Sequence, residues 1–327
     1  MNNVQVQRFP DFLIVGAMKS GTSSLHAMLD MHPEVYVAQG EQFFFDCDDR
    51  EQHPDFVFEH SGQLKSFDFD LDFHRLQKWY HSRFSEAAEG QLIGEDSTTY
   101  LASTNAMGRI RHYCPNARII ILLRNPVDRA HSHYWHLVRT GRAVYDFETT
   151  LIRTPGTLLQ RGMYRHQLAR VFEHFPQEQV KVLLFEDFRG DPNKHFHDVC
   201  RFLGVEPNVT VPLSKTHHNA ALVPRILGLR LFANWLNRSD IRRRYATHFE
   251  LPSAIEKTER RRTRVTFGRV FGRISMIGAT TNYPDMKEET RQHLEEYYRR
   301  ENKGLCTLAD LPYREKWGAA APIDSKK

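Results

Sequence analysis

The chain has 327 residues, 40% of them apolar and 26% charged, with a formal net charge of +5. That length suits one large α/β domain or at most two ordinary ones, and the composition excludes general disorder and demands a packed core. The basic excess is mild; it fits a site for anionic ligands, and without a concentrated basic face interleaved with aromatics it argues against nucleic acid.

The first residues, MNNVQVQRFPDF, hold no apolar leader core, and no window approaches the ~20 apolar residues of a membrane span. A cytoplasmic protein with no membrane segment of its own is the expectation. Cys47, Cys114, Cys200 and Cys306 lie too far apart for a paired metal or redox motif and read as buried thiols. Residues 12–15 form an apolar run suited to a strand buried on both faces. A short loop, 16–21, leads to a helix from Thr22, with Leu25, Met28 and Leu29 at helical spacing, ending before His32-Pro33. Residues 35–37 suit a second strand. Residues 47–84 mix aromatics and acids without a period and read as loops and short helices, one of them over 71–80.

Residues 117–123 (ARIIILL) read as another buried, parallel-type strand, and Asn125-Pro126 opens a helix with proline in its first turn. Its apolar face comprises Val127, Ala130, Tyr134, Leu137 and Val138, while His131, His133 and His136 read as surface or core histidines. A helix over 163–175, a strand over 180–185 and a helix over 192–203 continue the alternation. The expected fold is therefore α/β, a single domain over 1–318 with a mostly parallel sheet flanked by helices. Arginines accumulate from residue 223, at 242–244, 260–262 and 264. This part reads as a mainly helical elaboration, its Arg-rich stretch as a solvated face, its last strong helix over 287–302, and 319–327 as a flexible tail.

Two segments carry chemistry. In the first, Gly16, Lys19, Ser20, Gly21, Thr22, Ser23 and Ser24 lie between a strand and a helix. Backbone N–H groups at a helix N-terminus attract a phosphate or sulfate, and here a lysine charge and a run of hydroxyls are added. Gly16 and Gly21 have the spacing of a nucleotide-triphosphatase P-loop, but its lysine is displaced to position 19. An ordinary strand-to-helix turn capped by threonine is the plainer alternative. In the second, Arg124 ends a strand where open α/β sheets bind ligands, and Ser132 lies on the following helix. Together they suit a second phosphate, unless Arg124 pairs with a carboxylate and Ser132 is merely exposed.

LIVGAMKSGTSSL and IIILLRNPVDRAHSHY together resemble the 5'-phosphosulfate and 3'-phosphate segments of sulfotransferases that use 3'-phosphoadenosine 5'-phosphosulfate (PAPS). The branch with the heparan sulfate sulfotransferases is the most similar. Glu41 with Phe44, Phe45 and Asp46, then residues 96–101, 160–164 and 183–188 and Tyr283-Pro284, resemble its further motifs, so the likeness runs over about 12–308. The resemblance implies a P-loop-like phosphosulfate turn with Lys19, Ser20, Gly21, Thr22, Ser23 and Ser24 on the phosphosulfate. It implies Arg124 and Ser132 on the 3'-phosphate, with Tyr164 and Tyr283 also at the nucleotide. Lys19 would neutralise the leaving oxygen and Glu41 would act as general base. Phe43, Phe44, Asp96 and Tyr100 are the implied acceptor contacts. PAPS is the expected co-substrate, adenosine 3',5'-bisphosphate the product, and no metal is expected.

Phe43 stands where the branch has histidine, Asp96 where it has lysine, and Ala279-Thr280-Thr281 where it has Lys-Gly-Arg. Arg264, Arg269 and Arg273 are the candidates for the missing lid cations. These departures turn the expectation from a heparan-like chain towards a small-molecule or carbohydrate acceptor, held by aromatics of 43–45 and 56–84. The competing readings are an ATP-dependent P-loop kinase, which needs metal-binding carboxylates, and a catalytically inactive nucleotide-binding relative.

Overall fold

The computed structural model describes residues 8–60, 63–212, 223–237, 247–250 and 267–322; at 59–60, 157, 267–269 and 314 only the backbone is described. The strands are β1 (Phe12–Gly16), β2 (Val35–Val37), β3 (Phe58–His60), β4 (Gln63–Lys65), β5 (Leu92–Asp96), β6 (Arg118–Leu123) and β7 (Val180–Leu184). The helices up to residue 203 are α1 (Thr22–Asp30), α2 (Phe73–Ser82), α3 (Ala106–Tyr113), α4 (Pro126–Thr140), α5 (Phe147–Arg153), α6 (Pro155–Leu158), α7 (Tyr164–His174), α8 (Phe185–Gly190) and α9 (Pro192–Leu203). Beyond them come α10 (Leu227–Leu236), α11 (Phe267–Ser275), α12 (Glu288–Glu301) and α13 (Tyr313–Trp317).

One five-stranded sheet of order β2-β5-β1-β6-β7 is parallel throughout, and β3 and β4 form a separate antiparallel hairpin. The pleat splits the strand residues between two cores. Phe12, Ile14, Ile120 and Leu122 pack with Leu25 and Leu29 of α1 and Val199 and Leu203 of α9. Leu13, Val15, Ile119, Ile121 and Leu123 face α4 and α7 through Val127, Tyr134, Leu168 and Val171. This two-sided burial is why β1 and β6 are apolar at nearly every position. The α/β architecture expected from the sequence, a parallel sheet flanked by helices, is the one observed.

β5 escapes a sequence reading because LIGED resembles a turn. Gly94 is there because a Cβ at this position would stand 2.1 Å from Cζ of Phe12 in the neighbouring strand. The second core cluster extends to Ala321, with Ala320 fully buried in the turn after α13. The chain therefore stays packed through residues 320–322, past the start of the expected tail.

Candidate functional site

The loops after β1, β2, β5, β6 and β7 all leave the carboxyl edge of the sheet, and the site is built from them. After β1 the turn brings Lys19 to φ 70 and Gly21 to φ 85, both left-handed. Gly21 has a second reason: a Cβ there would lie 2.7 Å from the Phe185 ring. Gly21 is the N-cap of α1, no side chain caps that helix, and its first turn carries no acid. Its positive end is thus left for an external anion. The Ser20 hydroxyl is fully buried and has no hydrogen-bond partner, which fits a phosphate or sulfate oxygen as its missing acceptor. Burial, then Arg139 and Arg124, lower the Lys19 pKa to about 8, against a raising effect of Glu41. A half-buried lysine crowded by arginines is an electrostatic arrangement that an anion relieves.

After β6, Asn125 caps α4 by accepting from the N–H groups of Val127 and Asp128. The Arg124 guanidinium turns to the Lys19 turn: Nη1 donates to the Lys19 carbonyl at 3.1 Å, and the group lies 4.9 Å over the Phe185 ring. It makes no ion pair with a carboxylate of the described residues, and burial lowers its pKa. Further along α4, Ser132 is nearly buried and its Oγ lies 3.4 Å from the Tyr283 hydroxyl. Tyr283 in turn stacks parallel to Trp135, at 6.0 Å between ring centroids. Tyr164 is fully buried; its hydroxyl donates to the Arg124 carbonyl at 2.9 Å, so it braces this turn from behind instead of standing at an open surface.

After β5, the Glu95–Thr98 segment fixes the loop that carries Glu41. Ser97 Oγ accepts from the N–H groups of Gln42 and Phe43 at 2.9 and 3.1 Å and donates to Glu95 at 2.8 Å. The Glu41 carboxylate accepts from the Thr98 N–H at 3.0 Å and from the Thr98 hydroxyl. Burial and then Asp96 push the Glu41 pKa up, against the Thr98 hydrogen bonds and His53. Glu41 stands on the wall of a cavity of about 540 Å³. Phe43, His53, Phe56, Trp79 and His248 line it with rings, and His133, His136, Arg142 and Arg161 line it as well.

The expected acceptor residues separate here. Phe43 faces the cavity, but Phe44, Asp96 and Tyr100 do not line it. Phe43 takes φ 55, which turns its ring outward and the next residues inward. Phe44 stacks on Tyr80 at 4.2 Å in the core. Tyr100 is fully buried, its hydroxyl donating to Glu95 at 3.2 Å. Asp96 lies under the site, 3.7 Å from Nδ1 of His26 on α1, and reaches Glu41 only through its charge.

Residues 10–208 match the model of the Sulfotransferase family. The chain belongs to the sulfotransferase family. It is similar to heparan sulfate glucosamine 3-O-sulfotransferase 3A1 of Mus musculus, 26% identical over 212 residues, covering 62% of this chain and 48% of that protein. It is also similar to bifunctional heparan sulfate N-deacetylase/N-sulfotransferase 2 of Homo sapiens, 28% identical, covering 61% of this chain and 22% of that one. The chain thus matches about half the length of the first of these relatives, and less of the second. A crystal structure of a sulfotransferase from Alicyclobacillus acidocaldarius aligns with a TM-score of 0.52 and 30% identity, over 76% of this chain and all of that one.

The sulfotransferase segments marked in the sequence at Lys19, Glu41, Arg124, Ser132 and Tyr164 all fall within the matched residues. Tyr283 lies outside them and is joined to the site through Ser132. Sequence reading marked the segments 96–101 and 160–164 but gave Ser97, Thr98 and Arg161 no role, and it missed His53 and His248. It also set His133 and His136 aside, although their spacing of three residues on α4 places both on one helix face. Burial lowers both, His136 to about 3 with Lys19 as the next cause, so both are neutral at pH 7. Among the lid candidates, Arg273 is exposed; Arg264, the side chain of Arg269 and the arginines at 242–244 and 260–262 lie outside the described residues. No helix among the described residues is long and apolar enough to cross a membrane, and no group of His, Cys, Asp or Glu there has metal-binding geometry.

Proposed function

We propose that this sulfotransferase moves a sulfuryl group from PAPS to a hydroxyl or amine of a small-molecule or carbohydrate acceptor, leaving adenosine 3',5'-bisphosphate. The observation that carries the reading is the meeting of the Lys19 turn with the Arg124 guanidinium, beside a cavity with Glu41 on its wall. Lys19, Ser20 and the first residues of α1, Gly21 to Ser24, would hold the phosphosulfate; Arg124 and Ser132, with Tyr283, would hold the 3'-phosphate, and Tyr164 would brace Arg124. The co-substrate supplies an activated sulfuryl group, and the protein's part is to position it and to balance charge. Lys19 balances the charge that builds on the leaving oxygen. Glu41, kept half-buried and with a raised pKa, takes the acceptor's proton. A cavity of about 540 Å³ is of the size that encloses a small molecule, which supports an acceptor other than a long polysaccharide.

The test is transfer of label from ³⁵S-PAPS to a panel of small hydroxy and amino acceptors. Glu41→Gln is expected to lower kcat by about 10²–10⁴-fold while adenosine 3',5'-bisphosphate still raises the melting temperature as in the wild type. Unchanged turnover in Glu41→Gln removes this residue from the base role. A stabilising effect of ADP equal to that of the bisphosphate, dependent on Mg²⁺, favours a phosphotransferase instead.

A further inference from the structure

The acceptor cavity contains a buried cation without an anion. Arg161 is only 6% exposed. Its Nε donates to Gln52 Oε1 at 2.9 Å and its Nη2 to the Gln52 carbonyl at 3.0 Å. Nη1 meets only the thioether sulfur of Met18, a weak acceptor, and Met18 itself lines the cavity. No carboxylate among the described residues lies within ion-pair distance of Arg161, and Glu41 and Asp46 act on it only through space. The other acids on the wall do not change this. Asp55 is held by Arg142 at 2.7 Å, Glu41 is held by Thr98, and Glu250 forms no ion pair with Arg161. A buried guanidinium in this condition is costly unless something completes its shell.

The cavity is also lined by a continuous run of rings. His53 stacks on Phe56 at 4.7 Å, Phe43 lies 4.7 Å from His53 and 5.4 Å from His248, and Trp79 lies 5.4 Å from His248. Such a surface takes a flat ring edge-on or offset. We infer that the acceptor is an aromatic hydroxy acid, its ring against Phe43, Phe56 and Trp79, its carboxylate on Nη1 of Arg161, and its hydroxyl towards Glu41. Met18, being unbranched and flexible, can give way to the carboxylate. This inference rests on the sulfotransferase reading above and specifies its substrate class.

The test uses wild-type protein loaded with adenosine 3',5'-bisphosphate, titrated calorimetrically with 4-hydroxybenzoate and 4-hydroxyphenylacetate and with their methyl esters. The acids are expected to bind at least tenfold tighter than the esters, and to have the lower KM when PAPS is supplied. Arg161→Gln is expected to raise the acid KM at least tenfold, to leave the ester KM unchanged, and to leave the affinity for PAPS unchanged. In the wild type, binding of the acid should move the His136 ring resonances, since the anion enters the cavity that this imidazole lines and offsets the positive field that adds to its burial. If Arg161→Gln does not fold, the wild-type acid-ester comparison still decides. Esters bound as tightly as acids, neither series bound, or PAPS affinity lost with Arg161 in place of acid affinity, each overturns the inference. Failure of adenosine 3',5'-bisphosphate to bind at all overturns instead the functional reading beneath it.

Discussion

In the proposed mechanism, Lys19 and Glu41 set opposite limbs of one pH profile. Glu41 must be ionised to accept a proton, and its pKa is raised by burial and Asp96, so activity climbs with pH through a range above the usual carboxylate value. Lys19 must be charged to hold and stabilise an anion. In the free protein its pKa is lowered to about 8, so the charge is present below that pH and fades above it. The expected kcat/KM profile is therefore a bell with its alkaline limb near pH 8. Lys19→Arg should move that limb upward, because a guanidinium stays charged, and an initial-rate series from pH 5 to pH 10 reads both limbs. An alkaline limb that stays in place in Lys19→Arg assigns it to another group. The chemical identity of these residues was legible in the sequence, since Lys19 between glycines and Arg124 at a strand end are local patterns. Which of Phe43, Phe44 and Phe45 faces the cavity was not legible, because a single left-handed φ at Phe43 decides it.

Among the elements, those that build the proposed nucleotide side declare themselves and those that build the proposed acceptor side do not. β1 and β6 are apolar on both faces, and α4 opens with a capping asparagine and a proline, so their type follows from pattern alone. β5 contains a glycine and two acids, and its strand state depends on the Phe12 ring occupying the space above Gly94. Gly94→Ala is expected to destabilise the protein by about 1–3 kcal/mol through overpacking. Phe12→Leu should recover part of that loss in the double variant; urea unfolding followed by circular dichroism measures both. A Gly94→Ala protein as stable as the wild type contradicts this account of β5. Asn125→Ala removes the acceptor for the Val127 and Asp128 amides and should cost about 1 kcal/mol in the same measurement.

At the scale of the whole molecule, segments beyond the matched residues 10–208 pack against them. These segments brace the site from behind. Trp317 donates to Glu186 at 3.2 Å, Glu186 accepts from the Asn125 N–H at 2.9 Å, and the Asn125 side chain donates to the Trp317 carbonyl at 3.3 Å. Asn302, after α12, donates to the Gly162 carbonyl at 2.9 Å and accepts from the Arg165 N–H at 3.1 Å. Trp317 is 3% exposed, so Trp317→Ala should cost about 3–5 kcal/mol and also weaken adenosine 3',5'-bisphosphate binding, since the Arg124 turn loses its support. Denaturant unfolding and titration of the same variant measure the two effects; unchanged nucleotide affinity contradicts the bracing role. None of these long-range ties has a local sequence signal, nor has the core burial of Ala320 and Ala321 in the segment that reads as a tail.

The central claim is that a phosphate at the 3' position of the nucleotide is recognised by Arg124 and Ser132 while Lys19 holds the 5' end. Isothermal titration of adenosine 3',5'-bisphosphate against adenosine 5'-monophosphate, in the presence of a metal chelator, tests it most directly. The account predicts affinity at least tenfold higher for the bisphosphate in the wild type, and near-equal affinities in Arg124→Ala with the 5'-monophosphate little changed. Equal affinities in the wild type, or a preference that survives Arg124→Ala, contradicts it.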